Sequence, residues 1–235
     1  MRILHTSDWH IGRTFHGHST LAALAEVLGA LVEQVRENDV DVVIVAGDVF
    51  DSATPAASAY TLLDDVLVAL HETGATVVMT SGNHDSAARL GFHSRLLRDG
   101  IHVLTDPQAI ATPITVHDEH GPVHFFGIPY LEPAIVRQHW STADAEGATP
   151  ALRTQAQVMH HAMDLVREGM TAHEGRSVAV AHCFAAGVDA TAGLEREVRQ
   201  GGLDMVPLAG FDGAKLFSAD AAGYNDYPTH AALAA

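Results

Sequence analysis

Apolar residues in the first hundred positions follow two alternating patterns. Residues 21–37 place them three or four positions apart, which predicts an amphipathic helix. Residues 40–46 form an almost continuous β-branched run, typical of a strand buried on both faces. A helix at 54–72, a strand at 75–80 and a helix at 86–98 are predicted to follow. This alternation favours βαβ units and a mainly parallel sheet, and therefore an α/β fold.

From residue 101 onward the pattern changes to short strands joined by turns. Residues 101–104, 109–116 and 123–128 predict a second, more antiparallel sheet. Residues 141–150 predict a polar loop. A helix at residues 151–173 and a strand at 177–181, which ends at His182, are predicted after it.

Composition narrows the functional classes. A chain of 235 residues with 47% hydrophobic content fits one domain with at most a short appendage. The formal net charge of -16 argues mildly against unaided DNA binding, which usually needs a basic surface. Cys183 is the single cysteine, which excludes an intramolecular disulfide. The sequence has neither an apolar run of membrane-spanning length nor a signal-peptide pattern, so we expect a soluble, cytoplasmic protein without membrane contact.

Four polar clusters each follow the carboxyl end of a predicted strand. They are Asp8-Trp9-His10, Gly47-Asp48, Gly82-Asn83-His84-Asp85 and His182. Ligands of open α/β sheets bind at this edge, so the clusters are expected to converge. Carboxylate, imidazole and amide groups together suit Mn²⁺, Fe²⁺ or Zn²⁺.

The four clusters differ in specificity. Asp-x-His should occur about once by chance, and a second copy at residues 118–120, in a predicted hairpin turn, is assigned no role. Gly-Asn-His-Asp has a chance expectation on the order of 0.001. Gly47-Asp48 alone would fit an ordinary turn, and His182 alone a buried histidine. Their combined order and placement favour a joint metal site.

These motifs, in this order, resemble the metallophosphoesterase (calcineurin-like) superfamily. Residues 3–13, 46–51, 81–85 and 127–133 extend the similarity to its SbcD-type nuclease branch, and the resemblance covers residues 1–212. It implies a two-sheet α/β/β/α sandwich with mixed parallel and antiparallel strands.

The resemblance implies two divalent metal ions, with Mn²⁺ as the first choice. Asp8 and His10 would bind the first metal, Asp48 would bridge both, and Asn83 and His182 would bind the second. A metal-bound water would attack a phosphodiester, because the cations lower the pKa of that water.

Four further residues receive roles beside the metals. The resemblance implies that His84 faces the scissile phosphate, stabilising charge or protonating the leaving oxygen, and that Asp85 orients His84. Arg13 and His16 follow the first motif and are candidates for contact with a DNA backbone; a solvated polar loop is the equal alternative.

The implied biological role is that of a double-strand exonuclease and single-strand endonuclease subunit in DNA repair and recombination. The resemblance also implies DNA as substrate, an SbcC-type ATPase as partner and a homodimer. Two alternatives stay open: a small-molecule phosphodiesterase on the same scaffold, and an inactive remnant domain.

The remnant alternative rests on the end of the sequence. The superfamily carries a later Gly-His-x-His motif, which residues after 204 lack, so each metal would miss one imidazole. We therefore expect a phosphoesterase domain at residues 1–212 and an altered or truncated C-terminus, with residues 213–235 unassigned.

Overall fold

Two four-stranded sheets form the centre of the protein. The structure, a computed structural model, describes residues 1–140, 152–183, 185–186, 206–207, 211 and 215–218. Its helices are α1 (Leu21–Glu37), α2 (Ala57–Glu72), α3 (Ala87–Leu90), α4 (Pro133–Trp140) and α5 (Gln155–Ala172). Its strands are β1 (Ile3–Thr6), β2 (Thr14–Phe15), β3 (His18–Ser19), β4 (Val42–Ala46), β5 (Thr76–Thr80), β6 (Ile101–Leu104), β7 (Ile114–Asp118), β8 (Gly121–Ile128), β9 (Arg176–Ala181), β10 (Ala185–Ala186), β11 (Val206–Pro207) and β12 (Lys215–Ser218).

The first sheet is parallel and has the strand order β1-β4-β5-β6. All five residues of β4 are buried, as its β-branched run predicts. Val43 and Val45 of β4 pack in one cluster with Leu28 and Val32 of α1 and Leu70 of α2. The two long helices therefore cover the outer face of this sheet.

The second sheet is mixed and has the order β12-β9-β8-β7. β7 and β8 form an antiparallel hairpin, whereas β9 lies parallel to both β8 and β12. Phe126 and Ala179 face a cluster that contains Val158, Met159 and Val166 of α5. The outer face of this sheet is thus covered by α5.

A third apolar cluster lies between the sheets. The residues of the first sheet that alternate with Val43 and Val45 meet residues of β8 and β9 there; the cluster contains Val42, Ile44, Ala46, Val78, Val123, Phe125, Val178 and Val180. Since successive strand residues point to opposite faces, β4 contributes to both cores. The layers are helices, sheet, sheet, helices, which confirms the predicted α/β/β/α sandwich.

Two predicted elements are wrong in extent. The helix expected at 86–98 is only α3 and a separate 3-10 turn at Ser94–Leu96, because His93 adopts a left-handed backbone with φ 67°. The strand expected at 109–116 begins at Ile114, after turns in which Ala109 N–H and Thr112 N–H donate to the carbonyls of Asp106 and Ala109. The short helix α4 was not predicted.

The second sheet continues past the expected end of the domain, because β12 lies beyond residue 212. The predicted loop at 141–150 and most of residues 213–235 lie outside the described residues. In the part of the chain that the structure describes, no helix has the length and apolar character needed to cross a membrane.

Candidate metal centre

The carboxyl ends of β1, β4, β5 and β9 meet at one edge of the sandwich. In the first sheet Thr6 lies beside Val45, and Ala46 lies beside Thr80, so three parallel strands end almost level. Next to Ala181, the last residue of β9, His182 crosses to the first sheet, where its Nδ1 lies 2.9 Å from the carbonyl oxygen of Ala46. All four predicted clusters therefore share this edge.

The loops that follow β1 and β4 have an uncommon backbone conformation. Asp8, His10 and Asp48 have φ values of 55°, 45° and 49°, in the left-handed region that non-glycine residues seldom adopt. Asp8 N–H donates to the carbonyl of Gly47 at 3.1 Å, and His10 N–H donates to that of Asp48 at 3.0 Å. These cross-loop bonds support the conformation, which turns the three side chains to the same side.

Asp48 lies at the centre of the site and is only 3% exposed. Its Oδ2 is 3.7 Å from Nε2 of His10, 4.0 Å from Nε2 of His84 and 3.6 Å from Nε2 of His182. Its Oδ1 accepts from the backbone N–H of His84 at 2.9 Å. A carboxylate so placed is suited to bridge two cations.

The side chains around Asp48 form two candidate ligand groups among the described residues. One contains His10, Asp48 and His84, and the other contains Asp8, Asp48 and His182; within each, the ligand atoms lie within 4.8 Å of one another. His84 was expected to face the phosphate. In the structure it also lies beside His10, in the same candidate ligand group.

The atoms around His182 fit a bound cation. Its Nδ1 faces the Ala46 carbonyl, an acceptor, so Nδ1 carries the hydrogen, and the tautomer with a single ring hydrogen presents a lone pair at Nε2. That Nε2 faces Asn83 Oδ1 at 3.0 Å and Asp48 Oδ2 at 3.6 Å, and both oxygens are acceptors as assigned. A metal ion bound between these three atoms would accept all three lone pairs, so the arrangement is suited to a cation.

His10 is oriented by a residue that the sequence did not single out. Its Nδ1 lies 3.2 Å from Asp51 Oδ1, while its Nε2 faces Asp8 and Asp48. The contact has an ion-pair distance without hydrogen-bond geometry, so the negative charge behind Nδ1 favours a hydrogen on that nitrogen and leaves Nε2 for a metal. The signal available was the position of Asp51 in the same loop as Asp48, three residues later.

His84 and Asp85 are placed differently from each other. His84 is partly exposed, and its Nδ1 lies 3.1 Å from the backbone carbonyl of Asp51, so this carbonyl occupies the orienting position expected for Asp85. The carboxylate of Asp85 instead accepts backbone N–H groups of Val49, Phe50 and Gly82 at 3.1, 2.8 and 2.8 Å. Asp85 therefore joins the second and third loops.

The ionisation of Asp85 reflects opposing influences. Burial raises the pKa of this carboxyl group, and the neighbouring Asp48 acts in the same direction, while the three backbone donors oppose both. A cation in the site would favour the ionised form further.

A family comparison decides the class of protein. The family model described as calcineurin-like phosphoesterase matches residues 1–189. The chain belongs to this family. Over 166 residues this phosphoesterase is also 30% identical to SbcD, the nuclease component of SbcCD, from Staphylococcus saprophyticus, covering 70% of the chain and 43% of that relative.

Solved structures similar to this phosphoesterase include a protein of Thermus thermophilus and a dimetal phosphatase of Danio rerio. The first is 14% identical with a TM-score of 0.45, and the match covers 83% of this chain and 72% of the other. The second is 16% identical with a TM-score of 0.43, covering 77% and 69%.

Two glycines of the phosphoesterase allow the loops to approach closely. A Cβ on Gly47 would lie within 3.0 Å of the His182 ring, and one on Gly82 would lie within 3.0 Å of both the backbone and the carboxylate of Asp48. Gly47 also has φ of 83°, which other residues rarely adopt. Packing at the site thus requires glycine at both positions.

Arg13 lies at the rim of the phosphoesterase site, and His16 follows it three residues later. Arg13 has a 60% exposed side chain, and its Nε is 3.9 Å from Asp51 Oδ1. His16 is exposed in the turn between β2 and β3, with φ of 49°. Their contact with DNA stays a prediction.

Proposed function

We propose that this chain hydrolyses phosphodiester bonds of DNA with two divalent metal ions, Mn²⁺ being the first choice. Asp8, His10 and Asp48 would hold one ion, and Asp48, Asn83 and His182 the other. The observation that carries the proposal is the position of Asp48 Oδ2, within 4.0 Å of three imidazole Nε2 atoms. Metal ions bound there would lower the pKa of coordinated water and offset phosphate charge.

The chain's own groups complete the site. His84 donates a hydrogen bond from Nδ1 to the Asp51 carbonyl and presents Nε2 at a partly exposed position. As the imidazolium, it would donate a hydrogen bond to a phosphate oxygen and so stabilise its charge, or transfer the Nε2 proton to the leaving oxygen, a role typically worth 10²–10⁴-fold in rate. Asp85 joins the loop of Asp48 to the loop of Asn83, and so fixes the positions of these two ligands relative to each other.

The DNA substrate and the partners are proposed from the SbcD relative. The chain spans 43% of the length of that curated nuclease component. We infer a double-strand exonuclease and single-strand endonuclease activity, assembly with an SbcC-type ATPase, a homodimer, and a cytoplasmic role in DNA repair and recombination. The net charge of -16 fits a protein whose partner supplies part of the DNA contact.

The central test compares two substrates in the presence of Mn²⁺. We expect nucleotide release from linear duplex DNA as well as hydrolysis of bis-p-nitrophenyl phosphate, with both lost in a chelator. His84→Gln should reduce both rates by about 10²-fold or more. His71→Gln, near the end of α2, is the matched control and should leave both rates unchanged. Absence of DNA cleavage by the unsubstituted chain would contradict the nuclease proposal.

The acidic composition favours one alternative, a small-molecule phosphodiesterase. Such an enzyme needs no basic surface, and a net charge of -16 does not oppose it. Hydrolysis of the nitrophenyl ester without any DNA cleavage would support it.

The inactive remnant is the other alternative, and it differs from the enzyme in the number of complete metal sites. Calorimetric titration with Mn²⁺ separates the cases: two sites of micromolar affinity support the enzyme, whereas one weak site supports the remnant. Sedimentation velocity of the same sample tests the homodimer.

A further inference from the structure

A small hairpin follows directly after the loop that contains Asp8 and His10. β2 and β3 pair through Thr14 with Ser19 and Phe15 with His18. The turn residues His16 and Gly17 have φ of 49° and 80°, the conformation of a tight two-residue hairpin turn. The base of the hairpin is fixed where Thr20 donates from its backbone and its hydroxyl to the carbonyl of Arg13, at 3.1 and 2.8 Å.

This hairpin adjoins the metal centre. Arg13 N–H donates to the carbonyl of His10 at 3.0 Å, so the hairpin begins one turn after a predicted metal ligand. Phe15 is two residues beyond Arg13, which limits the separation of their Cα atoms to about 7 Å. A strand of nucleic acid that has a phosphate at the metals and leaves the site on this side would pass within reach of the hairpin.

Phe15 is exposed on this hairpin, at 69% of its surface. Its ring meets that of His16 at a centroid distance of 4.3 Å and an interplanar angle of 74°, an edge-to-face contact that covers at most one face of the Phe15 ring. Isolated apolar residues are common on protein surfaces. Phe15 differs from such residues because it is a large aromatic side chain on a tight turn beside a phosphoesterase centre. It offers a planar binding surface at low entropic cost.

The charge of the segment also differs from that of the whole chain. Between Asp8 and Glu26 the sequence contains no acidic residue, although the chain carries 29 in total. Arg13, His16 and His18 supply the polar groups of the same stretch, and all three are exposed. The acid-free hairpin thus presents an aromatic ring and cationic or neutral donors, the combination that binds single-stranded nucleic acid.

We propose that Phe15 stacks on an unpaired base of the DNA strand whose phosphate lies at the metal centre. This inference rests on the proposed DNA phosphodiesterase function and adds to it a residue that contacts the base. The strand must be unpaired next to the cleaved bond, since a base within a duplex stack has no free face.

The test measures, by fluorescence anisotropy, the equilibrium binding of two single-stranded oligodeoxynucleotides that carry fluorescein at one end. One strand has a base at every position, and the other has abasic nucleotides next to the unlabelled end. Ca²⁺ replaces Mn²⁺ to limit cleavage. Phe15→Ala should weaken binding of the base-containing strand by about 5-fold or more and leave the abasic strand unchanged. Phe15→Trp should preserve the affinity, and the fluorescence that it adds should be quenched on binding.

Two controls make the result specific. Val27→Ala truncates another exposed apolar side chain, on the solvent face of α1, and should change neither affinity. Circular dichroism of Phe15→Ala should match that of the unsubstituted chain.

The outcomes separate this inference from the wider proposal. Equal losses on both strands, or no loss on either, would overturn base stacking by Phe15 while leaving DNA hydrolysis intact. If the unsubstituted chain binds neither strand yet hydrolyses bis-p-nitrophenyl phosphate, the DNA substrate and the stacking role are both rejected.

Discussion

Asp51 acts on two histidines through two different groups. Its carboxylate lies 3.2 Å from Nδ1 of His10, and its backbone carbonyl lies 3.1 Å from Nδ1 of His84. The carbonyl accepts a hydrogen bond from Nδ1 of His84, whereas the carboxylate acts on Nδ1 of His10 through its charge alone. Both influences favour a hydrogen on Nδ1, and both rings direct Nε2 toward Asp48.

Asp51→Asn separates these two effects. The substitution keeps the backbone carbonyl that orients His84, but it removes the negative charge behind His10. We expect Mn²⁺ affinity to fall by about 10–100-fold, as measured by calorimetric titration. Asp64→Asn, an exposed carboxylate on α2, removes the same charge away from the site and should leave the affinity unchanged. Equal affinities for Asp51→Asn and the control would contradict the role of Asp51.

A second carboxylate acts at the opposite end of the second sheet. Asp118 closes the β7–β8 hairpin and accepts two hydrogen bonds from Arg176 of β9, at 3.0 and 2.5 Å. The Arg176 guanidinium holds the pKa of Asp118 well below its usual range. This is the second Asp-x-His copy, and its role is to fix a turn.

Asp118→Asn should therefore destabilise the protein in a pH-dependent way. Because the folded pKa of Asp118 lies below the unfolded value of about 3.9, its stabilising effect is complete above that pH and is lost as pH falls below it. Urea unfolding should show a gap between the two proteins at neutral pH that narrows below about pH 4. Glu119→Gln, at the exposed neighbouring residue, should show no such gap.

At the scale of elements, two helical glycines have opposite environments. Gly169 of α5 lies against the second sheet, and a Cβ there would fall within 3.0 Å of the Ala111 carbonyl and the Phe126 ring. Gly29 of α1 has nothing within 4 Å of the same position. The close packing of α5 thus depends on an absent side chain, whereas that of α1 does not.

This contrast predicts opposite effects for the same substitution. Gly169→Ala should lower the free energy of unfolding by about 1–3 kcal/mol, since overpacking outweighs the gain in helix propensity. Gly29→Ala should raise it by about 0.5–1 kcal/mol through propensity alone. Denaturant unfolding of both variants provides the comparison, and a stabilised Gly169→Ala would disprove the close contact.

At the scale of the whole molecule, the sandwich concentrates negative and lone-pair groups at one edge. Asp8, Asp48, Asn83 and Asp85 are brought there from three loops of the first sheet, and β9 of the second sheet adds His182. The fold accepts this arrangement most readily with cations bound, because they relieve repulsion among the acceptors.

Metal binding should therefore stabilise the folded chain. Mn²⁺ at about 100 times its dissociation constant should raise the free energy of unfolding by about 2.7 kcal/mol per site, and a chelator should reverse the gain. Asp48→Asn should abolish most of this gain, whereas Asp64→Asn should retain it. Thermal unfolding with and without Mn²⁺ measures both, and an undiminished gain in Asp48→Asn would exclude Asp48 as a ligand.

The elements that the sequence predicted well are those with a strong local pattern. The range predicted for α1 is that observed, and β4 begins two residues later than predicted, because α1 has one apolar face and β4 is buried on both. The helix expected at 86–98 failed because Phe92 and Leu96 are exposed and His93 interrupts the backbone. α4 was missed because it is short and buries few residues, Val136 among them.

The sequence by itself determined the family, the alternation of parallel strands with helices and the chemical types of the ligands, since these depend on local periodicity and on motifs at strand ends. Only the tertiary structure decided which atoms face one another across the loops. It placed the Asp51 carbonyl, and not Asp85, behind His84, and it seated His182 against Ala46, 136 positions earlier. Such contacts arise from the packing of two sheets, and no pattern along the chain specifies them.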